Sequence, residues 1–329
     1  MAIELIESFA NLATADLVLK GYTNSGSVIN AGSGRWAGPS LRMTSTNHLL
    51  SATVNANATM GCAIAFKGSS FVSALALIGF FDSATLHVDI RILADGTIRA
   101  TRNGTTLGTS TNALTTNVWY HIEAKVLIAD SGGTVDVWVN GVNWLALSSQ
   151  DTRNAASAQA TVVRLNAPSN GTWDYSDWVV WSGATGQLGD MRVVSKLPNG
   201  AGANTQWTAS AGANYTDVDE TNQNGDTDYV SDATAGHRDT YAFAAMGVAV
   251  TSVKAVQVNV WAEKTDAGAR TIAPVIRRSS TNYDGTAQSP SAGSYAAVCK
   301  QVYETDPSTS LAWTDTNIDA GEYGVKLVS

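Results

Sequence analysis

Cysteine, basic runs and long apolar stretches are what this chain has least of, and each shortage excludes a class of protein. Two cysteines in 329 residues, Cys62 and Cys299, make no disulfide framework. Both read as buried small apolar residues, in a chain expected to fold in a reducing cytoplasm. Lys and Arg number 20 against 28 Asp and Glu, for a formal net charge of −8. Arg277-Arg278 is the only adjacent basic pair. Nucleic acid and an anionic membrane surface are therefore not expected partners. The longest mainly apolar run, Phe71 to Phe81, spans 11 residues and contains Ser and Gly, too short to cross a bilayer. The opening MAIELIESF has no basic n-region, so no secretory signal is expected. Heptads are missing, which excludes a coiled-coil stalk, and no repeat of about 20–50 residues is present.

What is there is β-forming. Apolar residues make up 44% of the chain and charged ones only 15%, with abundant Gly, Ser, Thr, Asn and Ala; that is the composition of an all-β protein rich in short turns. The clearest stretch is Asn117 to Gly141, NVWYHIEAKVLIADSGGTVDVWVNG. Tyr120, Ile122, Ala124 and Val126 share one face of a strand, and His121, Glu123 and Lys125 share the other. After a Gly-Gly turn, Val135, Val137 and Val139 alternate with Asp136 and Trp138. Asn140-Gly141 then supplies a strong hairpin signal. The spacing predicts an antiparallel pair with one buried and one wet face, His121 on the wet one.

Further strands are predicted at Ser40 to Ser45, Met60 to Lys67, Phe71 to Phe81, Leu86 to Leu93, Thr97 to Arg102, Ala160 to Asn166 and Asp177 to Ser182. Phe9 to Tyr22 reads as a short helix or an irregular lead-in. Turn signals every 8–12 residues or so suggest a sandwich or barrel. Leu188 to Leu197 reads as a connecting strand, and the uncharged PNGAGANTQW after it as a loop. Beyond it, Ala255 to Glu263, Thr271 to Arg278, Tyr295 to Tyr303 and Gly321 to Val328 read as strands. A length of 329 residues suits two domains, divided in the 183–208 stretch, with 1–190 as the first and 191–329 as the second. The expected fold class is all-β, with two antiparallel β-sandwich domains.

Three elements in the first domain fall in a telling order: Trp119-Tyr120-His121 opening a strand, VDVWVNG ending the next, and Trp173-Asp174-Tyr175-Ser176-Asp177-Trp178-Val179-Val180-Trp181 about 30 residues on. This order resembles the laminin-G-like, concanavalin A-like jelly roll. Leu188-Gly189-Asp190-Met191-Arg192-Val193, Thr205-Gln206-Trp207-Thr208, Asn214 to Glu220, Asp228-Tyr229-Val230, Lys254 to Val258, Ile272 to Arg277 and Glu322 to Val328 are similar to a two-domain family of bacteriophage and prophage virion proteins. The resemblance covers most of the chain. It implies a virion structural protein, built in the host cytoplasm without export, acting as a short tail appendage or fibre component with a lectin-like surface. A capsid decoration or head-fibre protein is the alternative, and a glycan depolymerase the second. The implied partners are other virion proteins, a host-surface glycan and further copies of the chain, as a trimer. No functional residue is carried over from the family.

The chemistry-bearing residues are weighed on their own. Glycosidases on concanavalin A-like folds carry several acids on one face of one strand; here the hairpin strands carry single acids, Glu123 and Asp136. No H-E-x-x-H spacing, G-x-S-x-G elbow or phosphate-binding loop occurs. The expectation is that the chain is not an enzyme, with no catalytic residues, no metal and no cofactor. Asp217 to Asp232 holds six acids and places Gly225 as in a calcium loop, but Ser231 stands where the bidentate glutamate is needed, so a solvated loop is expected. A rim calcium near Asp174 and Asp177 is the other metal reading weighed. Finally, Trp173, Tyr175, Trp178 and Trp181 crowd together with Asp174 and Asp177. Strand alternation sends about half of these rings to the core, so packing is the first reading and a binding or subunit surface the second. If a glycan is bound there, Trp173, Asp174, Tyr175 and Asp177 are the expected contacts.

Overall fold

Alternating apolar and polar residues dictate strands, and strands are nearly all that form. The computed structural model describes residues 1–45, 47–72, 75–167, 171–184 and 186–329. Among these, helix is confined to the single turns Asp16–Leu19, Asn214–Asp217 and Asp315–Asp319. Every strand pair is antiparallel, and the all-β sandwich class follows. The chain divides into two compact units: residues 1–18 with 22–193, and residues 19–21 with 194–329.

In the first unit an eight-stranded sheet runs in the order Val142–Gln150, Gly133–Val139, Tyr120–Leu127, Thr59–Gly68, Trp173–Ser182, Ser40–Met43 and Val28–Asn30, with Ala2–Glu7 also paired to Trp173–Ser182. A seven-stranded sheet runs Thr105–Ala113, Thr97–Arg102, Thr85–Ile92, Leu75–Asp82, Ala160–Asn166, Leu49–Asn57 and Thr23–Ser25. Their facing residues form the core: Leu41, Met43, Leu50, Ile64, Phe66, Ile78, Phe80, Ile90, Ile122, Val126, Val135, Val137 and Leu165 are all without exposed surface. The predicted antiparallel pair forms, with Ile122 opposite Val139 and Val126 opposite Val135. Residues 73 and 74 of the predicted Phe71–Phe81 strand lie outside the described residues, and the observed strand is Leu75–Asp82. The stretch Phe9 to Tyr22 is an irregular lead-in with one helical turn.

The second unit has a five-stranded sheet, in the order Pro198–Thr205, Arg238–Phe243, Glu322–Leu327, Ile272–Arg278 and Thr281–Asp284. The pair Val256–Ala262 with Ala296–Tyr303 packs on it. Val258, Ile276, Trp313, Ile318 and Tyr323 form one core cluster there, and Ile272, Cys299, Val325 and Leu327 another.

Two expectations are corrected here. PNGAGANTQW is not a loop: Pro198–Thr205 is an edge strand whose residues alternate between half-buried and exposed. Its glycine at 202 lets the chain run close to its neighbour, since a Cβ there would lie 2.4 Å from the Thr240 carbonyl oxygen. Leu188–Leu197 is not a strand: the backbone N–H groups of Leu188, Gly189 and Val193 are taken by side chains of the first sheet, as described next. Both cysteines are free and buried; burial pushes the Cys62 thiol up to about 12 and the Cys299 thiol up to about 11, so neither is a thiolate at neutral pH.

Candidate functional site

The outer face of the eight-stranded sheet carries the most concentrated chemistry. Its floor is small: Ala65 sits opposite both His121 and Ser176, and Ala63 sits opposite Glu123 and Val179. Small residues leave room for covering chain, and two segments take that room.

The first is the loop 31–39, which joins the paired strands Val28–Asn30 and Ser40–Met43. It closes on itself, with Gly34 N–H donating to the Gly38 carbonyl at 2.7 Å. From it the Trp36 indole N–H donates to Asp177 Oδ2 at 3.0 Å. The second is the segment 186–193. Glu123 accepts from the backbone N–H groups of Leu188 at 2.7 Å and Gly189 at 3.0 Å, and Asp177 Oδ1 accepts from Val193 N–H at 2.8 Å. Arg35 ties the two segments together through a two-bond contact with Asp190, at 2.5 and 2.7 Å.

Asp177 reaches this face because the strand bulges there. The register slips between Ser176 and Val179, and Asp177 sits at φ +54°, in the left-handed region. A bulge re-aims one side chain against the alternation, and here it aims a carboxylate outward. Burial pushes the Asp177 carboxyl up to about 6, against the opposing hydrogen bonds from Val193 and Trp36. The hydrogen bonds from Arg35 hold Asp190 below the usual carboxylate range.

Below the covering segments lies His121. It is fully buried, neither ring nitrogen has a hydrogen-bond partner, and Nδ1 lies 3.8 Å from Glu123 Oε1. Burial pushes its pKa down to about 4 and holds Glu123 above its ordinary value. The wet-face reading of His121 is therefore corrected: alternation puts it on the outer face, but that face is covered.

The exposed part of the face is aromatic and cationic. Trp36 is 47% exposed, with the Arg35 and Arg192 guanidinium carbons each 4.8 Å from its ring centroid. One row further along, Asp174 is shared by Arg42, through Nε at 2.7 Å, and Lys67, at 3.6 Å. The Lys67 ammonium stands 5.0 Å from the ring centroid of the half-buried Trp119. Trp138 and Lys125 repeat the motif at 5.7 Å.

The four residues expected to contact a glycan are placed differently. Trp173 and Tyr175 have no exposed surface, and Asp174 and Asp177 have 2% each. Their strand is paired along both edges, its inner face lies in the core, and its outer face is covered by the loop 31–39 and the segment 186–193. Trp173 packs edge-on against Phe66 and donates its N–H to the Ser70 carbonyl. Tyr175 donates its hydroxyl to the Asn166 carbonyl. A ring with no free face cannot stack on a sugar, so the packing reading replaces the binding one. Asp174 and Asp177 are held by cations and N–H donors of the chain itself, as the distances above show. In the acidic loop, Asp217 accepts from Ser210, Ala211 and Gly212 and serves as a turn anchor.

Sequence reasoning missed Trp36, with Arg35 and Arg192 beside it. A signal existed: Trp36 sits in GSGRWAGPS, among turn formers, with no large apolar neighbour that would carry it into a core.

No protein-family model matches the chain, and no curated protein matches its sequence. Solved structures do. Alginate lyase Aly36B is 14% identical, with a TM-score of 0.40, over 54% of this chain and 96% of its own. A sialidase is 13% identical, with a TM-score of 0.35, over 55% of this chain and 18% of its own. Cellulose induced protein Cip1 is 14% identical, with a TM-score of 0.38, over 51% of this chain and 88% of its own. The chain thus spans less than a fifth of the sialidase. Enzymes stand among these similar structures, and that corrects the expectation that the chain is not one. The missing acid-paired strand, nucleophile elbow and metal spacing were no ground for excluding glycan chemistry on a β-sandwich, where an active site can be assembled from separate loops.

Proposed function

We propose that this is a virion surface protein of the phage type, a short tail appendage whose first unit contacts host-surface glycans through the outer face of its eight-stranded sheet. The observation that carries the glycan reading is Trp36. Its ring is half exposed, yet its N–H is anchored on a buried carboxylate, so an open aromatic face is held in one orientation at little further entropic cost. Cations and carboxylates beside such a ring supply the directed hydrogen bonds a sugar needs. The virion reading is supported by the elements from Leu188 to Val328 that resemble phage virion proteins, and the lectin-like reading by the order of motifs from Trp119 to Trp181. Further copies of the chain and other virion proteins are the partners this reading implies.

The test is a glycan array probed with the purified protein, with and without calcium, together with incubation on host-type polysaccharide. Hits abolished by Trp36→Ala support the reading, and an array without hits overturns it. Reproducible chain shortening would make the same face a depolymerase site. Immunogold labelling of particles tests the placement: label at the tail supports it, and label over the capsid lattice replaces the tail with the capsid ornament.

A further inference from the structure

The cations of the outer face differ from the rest of the molecule, and the difference names a ligand class. The chain as a whole carries a net charge of −8. Around Trp36 and Trp119, four cations, Arg35, Arg42, Lys67 and Arg192, meet three carboxylates: Asp174 and Asp177 are buried, and Asp190 is exposed but taken up by Arg35. Arg35 is fully engaged by Asp190, with a side chain only 14% exposed. Arg192 is not engaged in that way. It is exposed and lies over the exposed Trp36 ring, and among the described residues it makes no hydrogen bond or ion pair. Lys67 is also under-used. It shares Asp174 with Arg42, which already bonds both carboxylate oxygens, and its own 3.6 Å approach is beyond a hydrogen bond.

Each of these cations stands over a tryptophan ring. A cation fixed beside an indole face suits a ring-shaped ligand that bears an anion: the indole takes the apolar face of the ring and the cation takes the charge. Guanidinium is the planar fork that fits a carboxylate with two hydrogen bonds. The two centres belong to neighbouring rows of one sheet. Asp174, which holds Lys67, and Ser176, beside the Trp36 loop, are two residues apart on the same strand, a separation of about 7 Å. The two centres are thus anchored over adjacent outward positions of one strand, which suits neighbouring units of one oligosaccharide.

We infer that this face binds an acidic glycan, one whose sugar rings carry carboxylates, with Trp36 and Arg192 holding one unit and Trp119 and Lys67 holding another. The inference rests on the glycan-contact reading above and adds the charge of the ligand and the residues that select it.

Titration calorimetry of the full chain tests it, with three probes of equal length: a galacturonate hexamer, maltohexaose and hexaglutamate. The galacturonate hexamer is expected to bind, with affinity falling as salt rises. Maltohexaose should bind at least tenfold more weakly, and hexaglutamate not at all. Arg192→Gln should weaken galacturonate binding about tenfold, Lys67→Gln about threefold, and Arg192→Lys less than Arg192→Gln. Both sites are on the surface, and an unchanged melting temperature checks that each variant is folded. Maltohexaose binding as tightly as galacturonate, or Arg192→Gln without effect while Trp36→Ala abolishes binding, would overturn the acidic-glycan inference and leave the glycan reading standing. Equal binding of hexaglutamate would reduce the face to a charge patch and overturn the inference. Binding of neither sugar would sink both.

Discussion

His121 and Asp177 sit under the same covering segments and pull stability in opposite directions as pH changes. His121 has its pKa pushed down to about 4 by burial, below the ordinary histidine value. Between about pH 4 and 6.5 the unfolded chain therefore holds more protons at this residue, so stability is lost as pH falls through that window. For a residue with no exposed surface the full loss is about 3 kcal/mol. Asp177, raised to about 6, does the reverse: the folded state holds more protons between its ordinary value and 6, and stability falls as pH rises. Glu123, raised by burial, acts with Asp177. The wild type is expected to show a shallow dependence because the limbs overlap. His121→Gln should leave a melting temperature that declines as pH rises from 4 to 6, and Asp177→Asn one that climbs more steeply than wild type. Calorimetry at pH 4, 5, 6 and 7 reads this directly, and parallel profiles for all three proteins would refute the assignment. Alternation in the sequence correctly placed His121 and Glu123 opposite Ile122 and Ala124. What it could not carry was the cover: the backbone groups that Glu123 binds lie 65 and 66 residues further along the chain.

A strand buries both faces only where something packs on each side of its sheet, and the Trp173–Ser182 strand is buried along its whole length, between the second sheet and the covering segments. Its aromatic run looked like a surface candidate because sequence gives composition and period but not a strand's place in the sheet. That place is fixed by Thr59–Gly68 on one side and by Ser40–Met43 and Ala2–Glu7 on the other. Trp173→Ala should accordingly cost about 3–5 kcal/mol, as for a large core ring, whereas Trp36→Ala on the exposed loop should cost under about 1 kcal/mol. Urea denaturation separates them, and similar losses for the two would contradict the placement. The neighbouring strand makes room for these rings with Gly61, whose Cβ, if present, would lie 2.0 Å from the Trp181 ring. Trp181 has no exposed surface and so cannot swing aside. Gly61→Ala is expected to destabilise by about 1–3 kcal/mol through overpacking. Gly132→Ala, where a Cβ meets nothing within 4 Å, is the control. Equal melting temperatures for these two variants would show that the sheet can give way at Trp181. The glycine of a strand interior was visible in the sequence, but the ring it faces was not, because the two lie 120 positions apart and meet only through strand pairing.

At the scale of the whole molecule, the sheet edges decide how copies could meet. Val28–Asn30 and Thr23–Ser25 are three residues long and Thr281–Asp284 four. Of the longer edges, Thr105–Ala113, Val142–Gln150 and Pro198–Thr205 are broken by register shifts against their neighbours. Short and bulged edges are the devices by which sheets resist adding a further strand. The all-β class was legible in composition and turn spacing, but edge quality was not, since bulges arise from pairing. If the chain is a trimer in the virion, as proposed from its resemblance to phage appendages, its copies should associate through faces or loops rather than by continuing a sheet. Light scattering on the purified protein is then expected to give three times 34.4 kDa. Val142→Asp, on an edge residue that is 60% exposed, should leave that mass unchanged. A monomer at high concentration would remove the trimer. A mass that drops only in the Val142→Asp variant would show instead that the bulged Val142–Gln150 edge is the contact after all, with the charge breaking a strand-to-strand seam that the bulge alone does not prevent.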